Sequence, residues 1–186
     1  MQPPHFPPAI RLCHCIFAVA FLLLLPSLSN GQYYLYKITD SRDGKLYKTV
    51  HIDDKWWMAE NLNYGTRIDI LLNQGNNGTP EKYCYNNFES NCTTYGGLYQ
   101  WEELMQYGNV EFNRGLCPSG WHISSDDEWK QLETFLGMSP TSIDATGDRG
   151  FMEGGKLKSK TYWASPNLYA SDSLGFSGLA AGYRDT

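Results

Sequence analysis

The stretch "LCPSGWHISSDDEWKQLETFLG", residues 116–137, holds the clearest structural signal in the chain. Ser125 and Glu128 have the spacing of a capping box, in which a hydroxyl and a carboxylate satisfy backbone N–H groups that the first helical turn leaves open. Asp126, Asp127 and Glu128 fall in that turn, where the helix dipole favours negative charge. Trp129, Leu132, Phe135 and Leu136 form an apolar stripe at helical spacing, and Gly137 stops the helix. Upstream, Pro118 and Gly120 read as a turn, Trp121 as a packing residue ahead of the cap, and His122 as a polar edge. A catalytic reading of Cys117 with His122 needs a thiolate and a third group to orient the histidine. A spacing of five residues establishes neither, so the stretch reads as a structural corner.

Working towards the N-terminus, "YYLYKIT" (33–39) and "KLYKTVHI" (45–52) are rich in aromatic and β-branched residues. Asp43-Gly44 between them is a turn signal, and together they predict a β-hairpin. A turn at 53–55 leads into a third strand, "WWMAENL". Trp56, Met58 and Leu62 are expected to face the core and Trp57 to face elsewhere. Residues 63–95, rich in Asn, Gly, Tyr and Thr, predict a long irregular connection that is ordered rather than slack. Residues 98–107 predict a helix with Leu98, Trp101, Leu104 and Met105 on one face, stopped by Gly108. Beyond residue 137 the composition predicts short strands and turns.

Residues 16–25, "IFAVAFLLLL", follow Arg11 and precede "PSLSNGQ". Such a run reads as a secretory signal peptide over residues 1–31, with cleavage after Ser29 or Gly31. It is short for a membrane span, so no stable span is expected after cleavage; a retained anchor is the rival reading. About 155 residues then remain, enough for one domain with its own core. Arg11 is the only Lys or Arg within 1–31 and no acid lies there, so the remaining chain is more acidic than the net charge of −5 for the whole. No basic footprint for nucleic acid is present.

Export permits disulfides. Cys84 and Cys92 flank "YNNFESN" and are expected to bridge locally. Cys117 is then left as a free thiol, an intermolecular bond or a residue with a missing partner. No GxSxG or HExxH word occurs. Three successive acids on a helix diverge, so no metal and no cofactor is expected. Asn77-Gly-Thr and Asn91-Cys-Thr match glycosylation acceptors but read as chance words in a polar loop. Aromatic side chains remain as the binding signal, because Trp and Tyr combine an apolar face with a polar edge. Trp101, Trp121 and Trp129 are expected in the core. Trp57, Tyr85, Tyr95 and Trp163 are the candidate ligand-binding residues.

Six stretches carry a family resemblance: "DGKLYKTVHID", "WWMAENLNY", "YCYNNFESNCTTYGGLYQW", "LCPSGWHISSDDEW", "GGKLKS" and "DSLGFSGLAAGYRD". In this order they resemble the Fibrobacter succinogenes major paralogous domain, from about residue 40 to 185. The resemblance implies an α+β fold of C-type lectin-like type: a small antiparallel sheet, two helices and a long loop region. It implies a bacterial exported or surface protein. Family members usually have Pro where Ser124 stands here. They usually continue past "GYRD" to a terminal Cys, the implied partner of Cys117, so residues 32–186 read as a domain incomplete at its C-terminus. The "EPN", "QPD" and "WND" words of calcium-dependent lectins are missing. So is the C-terminal pair of reactive cysteines used by formylglycine-generating enzymes of similar fold. The function expected is a secreted or cell-surface, non-enzymatic binding or adhesion module for polysaccharide or a surface protein. The alternatives are a structural surface protein without a ligand, or an exported enzyme on a lectin-like scaffold.

Overall fold

The computed structural model describes residues 15–17 and 35–183. The expected leader, residues 1–31, lies outside the described residues except for 15–17. Those three form a strand, β1 (Cys15–Phe17), which is part of the central sheet.

The predicted hairpin forms as β2 (Leu35–Thr39) and β3 (Leu46–Ile52), paired antiparallel from Leu35↔Val50 to Thr39↔Leu46. Its turn is closed by Asp40, whose N–H donates to the Lys45 carbonyl at 2.8 Å and whose carbonyl accepts from the Gly44 N–H at 2.8 Å. Gly44 has φ 73°, a conformation that glycine adopts without a steric penalty. Asp40 is buried and its carboxylate is clamped by Arg42 through Nε at 2.8 Å and Nη2 at 2.5 Å. The same Nη2 donates to the Leu116 carbonyl at 2.8 Å, tying the hairpin turn to the start of the corner. β4 (Lys55–Met58) pairs with β3, and the sheet order is β2-β3-β4-β1-β7, with β7 being Trp121–Ile123.

Successive side chains of a strand point to opposite faces, and here both faces are covered. Tyr47 and Met58 pack on one side with Leu62, Tyr99, Leu104, Leu116, Cys117, Trp121 and Ile123. Val50, Ile52 and Trp57 pack on the other with Leu132, Leu136, Leu174 and Phe176. Trp57 is therefore a core residue, 1 % exposed, with its ring 5.0 Å from Trp129 and 6.1 Å from Phe176. This corrects its assignment as a ligand-facing residue. A strand buried on both faces has no solvent side for alternation to reveal.

The 63–95 connection contains more regular structure than its composition predicts. β5 (Thr66–Arg67) and β6 (Glu81–Lys82) form a short parallel pair, and α1 (Glu89–Tyr95) is helical. The helix predicted over 98–107 shrinks to α2 (Trp101–Leu104). Leu98 pairs instead with Tyr83 in an isolated bridge, and Trp101 is 37 % exposed, so it is not the core residue expected. Leu104 and Met105 are buried as expected.

The corner folds as read. Trp121 N–H donates to the Pro118 carbonyl, Gly120 has φ 84°, and α3 (Asp126–Leu136) begins with both hydrogen bonds of the capping box. Gly137, at φ 100°, closes it. Leu132 and Leu136 are buried and Trp129 packs partly against the same core, but Phe135 is 48 % exposed and drops out of the stripe. Lys156 Nζ donates to the Leu136 carbonyl at 2.6 Å, satisfying one carbonyl at the end of α3. After α4 (Pro140–Ile143) and a 3₁₀ turn at Glu153–Lys156, the chain is loops and turns, with one bridge between Lys158 and Gly178. Among the described residues no helix is long and apolar enough to cross a membrane.

Candidate functional site

Cys117 and His122 are both engaged structurally. Cys117 is fully buried and disulfide-bonded, so it offers no thiol for nucleophilic attack. Its bonding partner lies outside the described side chains, and of the readings left open for Cys117 the free thiol is excluded. His122 Nε2 stands 3.1 and 3.0 Å from the two Glu128 carboxylate oxygens. Glu128 also accepts from the Ser125 N–H at 3.0 Å. Burial by itself would raise the Glu128 carboxyl. The hydrogen bond from His122, the Ser125 N–H and the charges of His122 and Lys55 outweigh burial and hold it below the usual carboxylate range. His122 thus links β7 to the cap of α3.

The predicted Cys84–Cys92 disulfide is present and brings the chain into a tight loop, with Cα atoms 4.9 Å apart. Within the loop Asn86 and Asn87 adopt left-handed φ values of 52° and 60°, which asparagine tolerates better than most residues. Asn91 Nδ2 donates to the Tyr85 carbonyl at 2.7 Å, holding the loop against α1. The C-terminal end of α1 is held by two buried amides. Asn63 Nδ2 donates to the Cys92 carbonyl at 2.7 Å and Asn61 Nδ2 to the Tyr95 carbonyl at 2.8 Å. Gly96 follows at φ 81°, where an added Cβ would lie 2.5 Å from Asn61 Cβ. The close approach that glycine allows lets the end of α1 pack against Asn61 and Leu62.

Tyr85 and Tyr95 meet edge to face with centroids 5.8 Å apart, and Tyr95 meets Tyr162 in the same way at 6.0 Å. Tyr162, 61 % exposed, also lines a cleft of about 360 Å³. Lys48, Glu60, Thr93, Thr94 and Ser177 contribute to its walls. The lining therefore offers ammonium, hydroxyl and carboxylate groups beside an aromatic ring. Thr161 N–H donates to Ser159 Oγ at 3.2 Å, and Ser159 N–H donates to the Gly178 carbonyl at 2.9 Å, anchoring the segment that carries Tyr162.

Two of the four predicted ligand-binding residues, Tyr85 and Tyr95, are thus brought together. The sequence reading missed Tyr162, which joins them to the cleft; its only sequence signal was an exposed aromatic beside Trp163 in a polar loop. Trp163 is arranged separately. Its Nε1 donates to the Gly178 carbonyl at 2.9 Å, and Lys158 Nζ lies 4.4 Å from its ring centroid, a cation–π distance. Trp57 is in the core.

A larger cleft of about 530 Å³ lies beside the corner, lined by Trp101, Met105, Tyr107, Phe112, Ile123 and Asp126 among others. Its walls combine the rings of Trp101, Tyr107 and Phe112 with the amides of Asn109 and Asn113, the hydroxyls of Ser124 and Ser125 and the carboxylates of Glu102, Glu111 and Asp126, with no lysine or arginine. The Tyr162 cleft differs from it in carrying ammonium groups, Lys45 and Lys48, and in meeting the Tyr85–Tyr95 pair through Tyr162. Among the described residues there is no group of three His, Cys, Asp or Glu side chains placed to hold a metal ion.

No curated protein and no solved structure matches the chain. The family model of the Fibrobacter succinogenes major domain matches residues 50–186, and the chain belongs to that family.

Proposed function

We propose that this protein is a secreted or cell-surface, non-enzymatic binding or adhesion module of C-type lectin-like architecture, and that polysaccharide is its target. The observation that carries the reading is Tyr162, which both touches the Tyr85–Tyr95 pair and lines the polar cleft. Aromatic rings stack on the apolar faces of sugars, while hydroxyl, amide and ammonium groups bond their hydroxyls. A small antiparallel sheet with few helices and long loops supports the lectin-like architecture. The Cys84–Cys92 disulfide fits an oxidising exterior.

The test is retention on insoluble polysaccharides such as cellulose, xylan and chitin. The intact chain is expected to be retained on at least one. Tyr162→Ala and Tyr95→Ala should weaken retention about tenfold, while Phe151→Ala, at another exposed ring, leaves it unchanged. Passage of the intact chain through every surface, or equal retention of all variants, overturns the reading.

A further inference from the structure

The cleft lined by Tyr162 holds an uncompensated positive charge. The charged side chains in its walls are Lys45, Lys48 and Glu60. Lys48 and Glu60 pair at 3.1 Å, and Glu60 also accepts the Lys48 N–H at 2.9 Å. Lys45 is half-buried, and among the described residues its ammonium makes no ion pair and no hydrogen bond. Burial pulls that ammonium below the ordinary lysine range, and the attraction of Asp43, Glu60 and Glu89 does not make up for it. A second ammonium lies behind the wall. Lys82 is buried, and its Nζ donates to Asn63 Oδ1 at 2.6 Å and to the Asn63 carbonyl at 3.1 Å, both neutral acceptors. Burial lowers the Lys82 ammonium as well; Glu89 opposes this and Lys45 adds to it. Asn63 itself lines the cleft, as do the hydroxyls of Thr93, Thr94, Thr161 and Ser177.

We propose that the preferred ligand of this cleft is an acidic polysaccharide, with a sugar carboxylate seated against the Lys45 ammonium. The inference rests on polysaccharide binding at the Tyr162 cleft and names the class of sugar. A half-buried charge without a partner is unfavourable, and a ligand carboxylate supplies the partner through a charge-assisted hydrogen bond. The surrounding hydroxyls suit the remaining groups of the sugar, and the Tyr162 ring suits its apolar face. One unpaired ammonium matches one singly charged group, and a carboxylate is the anion that a sugar carries without esterification. The whole chain has a net charge of −5, so a polyanion is repelled by the protein at large and is held only where positive charge is local. Retention of a polyanion therefore reports on this cleft rather than on the general surface.

The test passes the intact chain over immobilised polygalacturonate and alginate, each beside its methyl ester, which keeps the sugar backbone and removes the charge. Retention on at least one acid form is expected to be about tenfold stronger than on its ester and to weaken as salt is added. Lys45→Met keeps an apolar stem without the charge and should abolish the difference, while Lys45→Arg should preserve it. Both changes leave the hairpin turn intact, because Lys45 serves it through its backbone: its carbonyl accepts from the Asp40 N–H and its N–H donates to Asp43 Oδ1 at 3.0 Å. Lys37→Met, on β2 and not in the cleft wall, should change nothing. Equal retention on acid and ester forms, lost in Tyr162→Ala, overturns the acidic class and leaves polysaccharide binding standing. So does passage through both acid forms with retention on cellulose, xylan or chitin. A preference for the acid form that survives Lys45→Met overturns the role of Lys45. Retention on a sulfated glycan alone overturns the carboxylate. Passage through every surface, neutral or acidic, overturns both this inference and the reading beneath it.

Discussion

The corner at residues 116–137 and the loops at 144–183 use aromatic residues in opposite ways. In the corner, Trp121 is buried, Trp129 packs on Trp57 and Phe176, and the polar groups of Ser125, His122 and Glu128 bond one another. In the loops Phe176 joins that packing, but Phe151, Tyr162, Tyr169 and Tyr183 are all more than half exposed. There the backbone turns through left-handed residues such as Tyr162 at φ 64° and Tyr169 at φ 59°. The corner holds its shape by side-chain packing and capping. The loops hold theirs by backbone hydrogen bonds such as Ser159 N–H to Gly178 O and Ser171 N–H to Gly155 O, which leaves several rings exposed at the surface. Ring burial and ring exposure thus dominate in different parts of one chain, and on the proposed function so do stability and recognition.

Substitutions that separate the two contributions would break or sharpen this contrast. Trp57→Ala removes a buried ring shared by the sheet and α3 and should cost about 3–5 kcal/mol in chemical denaturation. A stable Trp57→Ala chain with impaired binding would return Trp57 to the recognition side. Cys84→Ser with Cys92→Ser opens the loop beneath the tyrosine row. The cost should be about 2–3 kcal/mol, from the short loop that the bridge closes, and retention on polysaccharide should fall as well. Ser125→Ala removes the cap acceptor and should lower stability by about 1 kcal/mol without altering retention.

The cap also carries a pH signature. The Glu128 carboxyl sits below its ordinary value of 4.5 in the folded chain, so its contribution is present above that value and is lost as pH falls through the lower folded value. Glu128→Gln should flatten that part of the stability profile, measured by thermal unfolding between pH 3 and 7. Tyr162→Ala has the smallest expected effect on folding, within about 0.5 kcal/mol. It is nevertheless the substitution that should reduce retention most clearly.

Legibility in the sequence followed the physics of each segment. The hairpin, the capping box, Gly137 and the Cys84–Cys92 bridge rest on local chemistry, and all four are found. α1 was hidden because "ESNCTTY" buries only Cys92, leaving no apolar stripe to detect. Trp57 was misread because β4 has a core on each side. The helix expected over 98–107 lost its start to the Tyr83–Leu98 bridge, a contact between residues that local periodicity does not connect. β1 was out of reach for a different reason. An apolar run following a basic residue carries the same composition whether it is a leader or a buried strand.

The Arg42 contact to the Leu116 carbonyl spans 74 positions of sequence. Hairpin tips are ordinarily convenient places to graft an epitope or a fluorescent tag. Here the tip is a fastener between the first hairpin and the centre of the molecule, and an insertion there would pull apart distant pieces of the fold. The exposed turn around Gly78, where an added Cβ meets nothing within 4 Å, is the better port for labels.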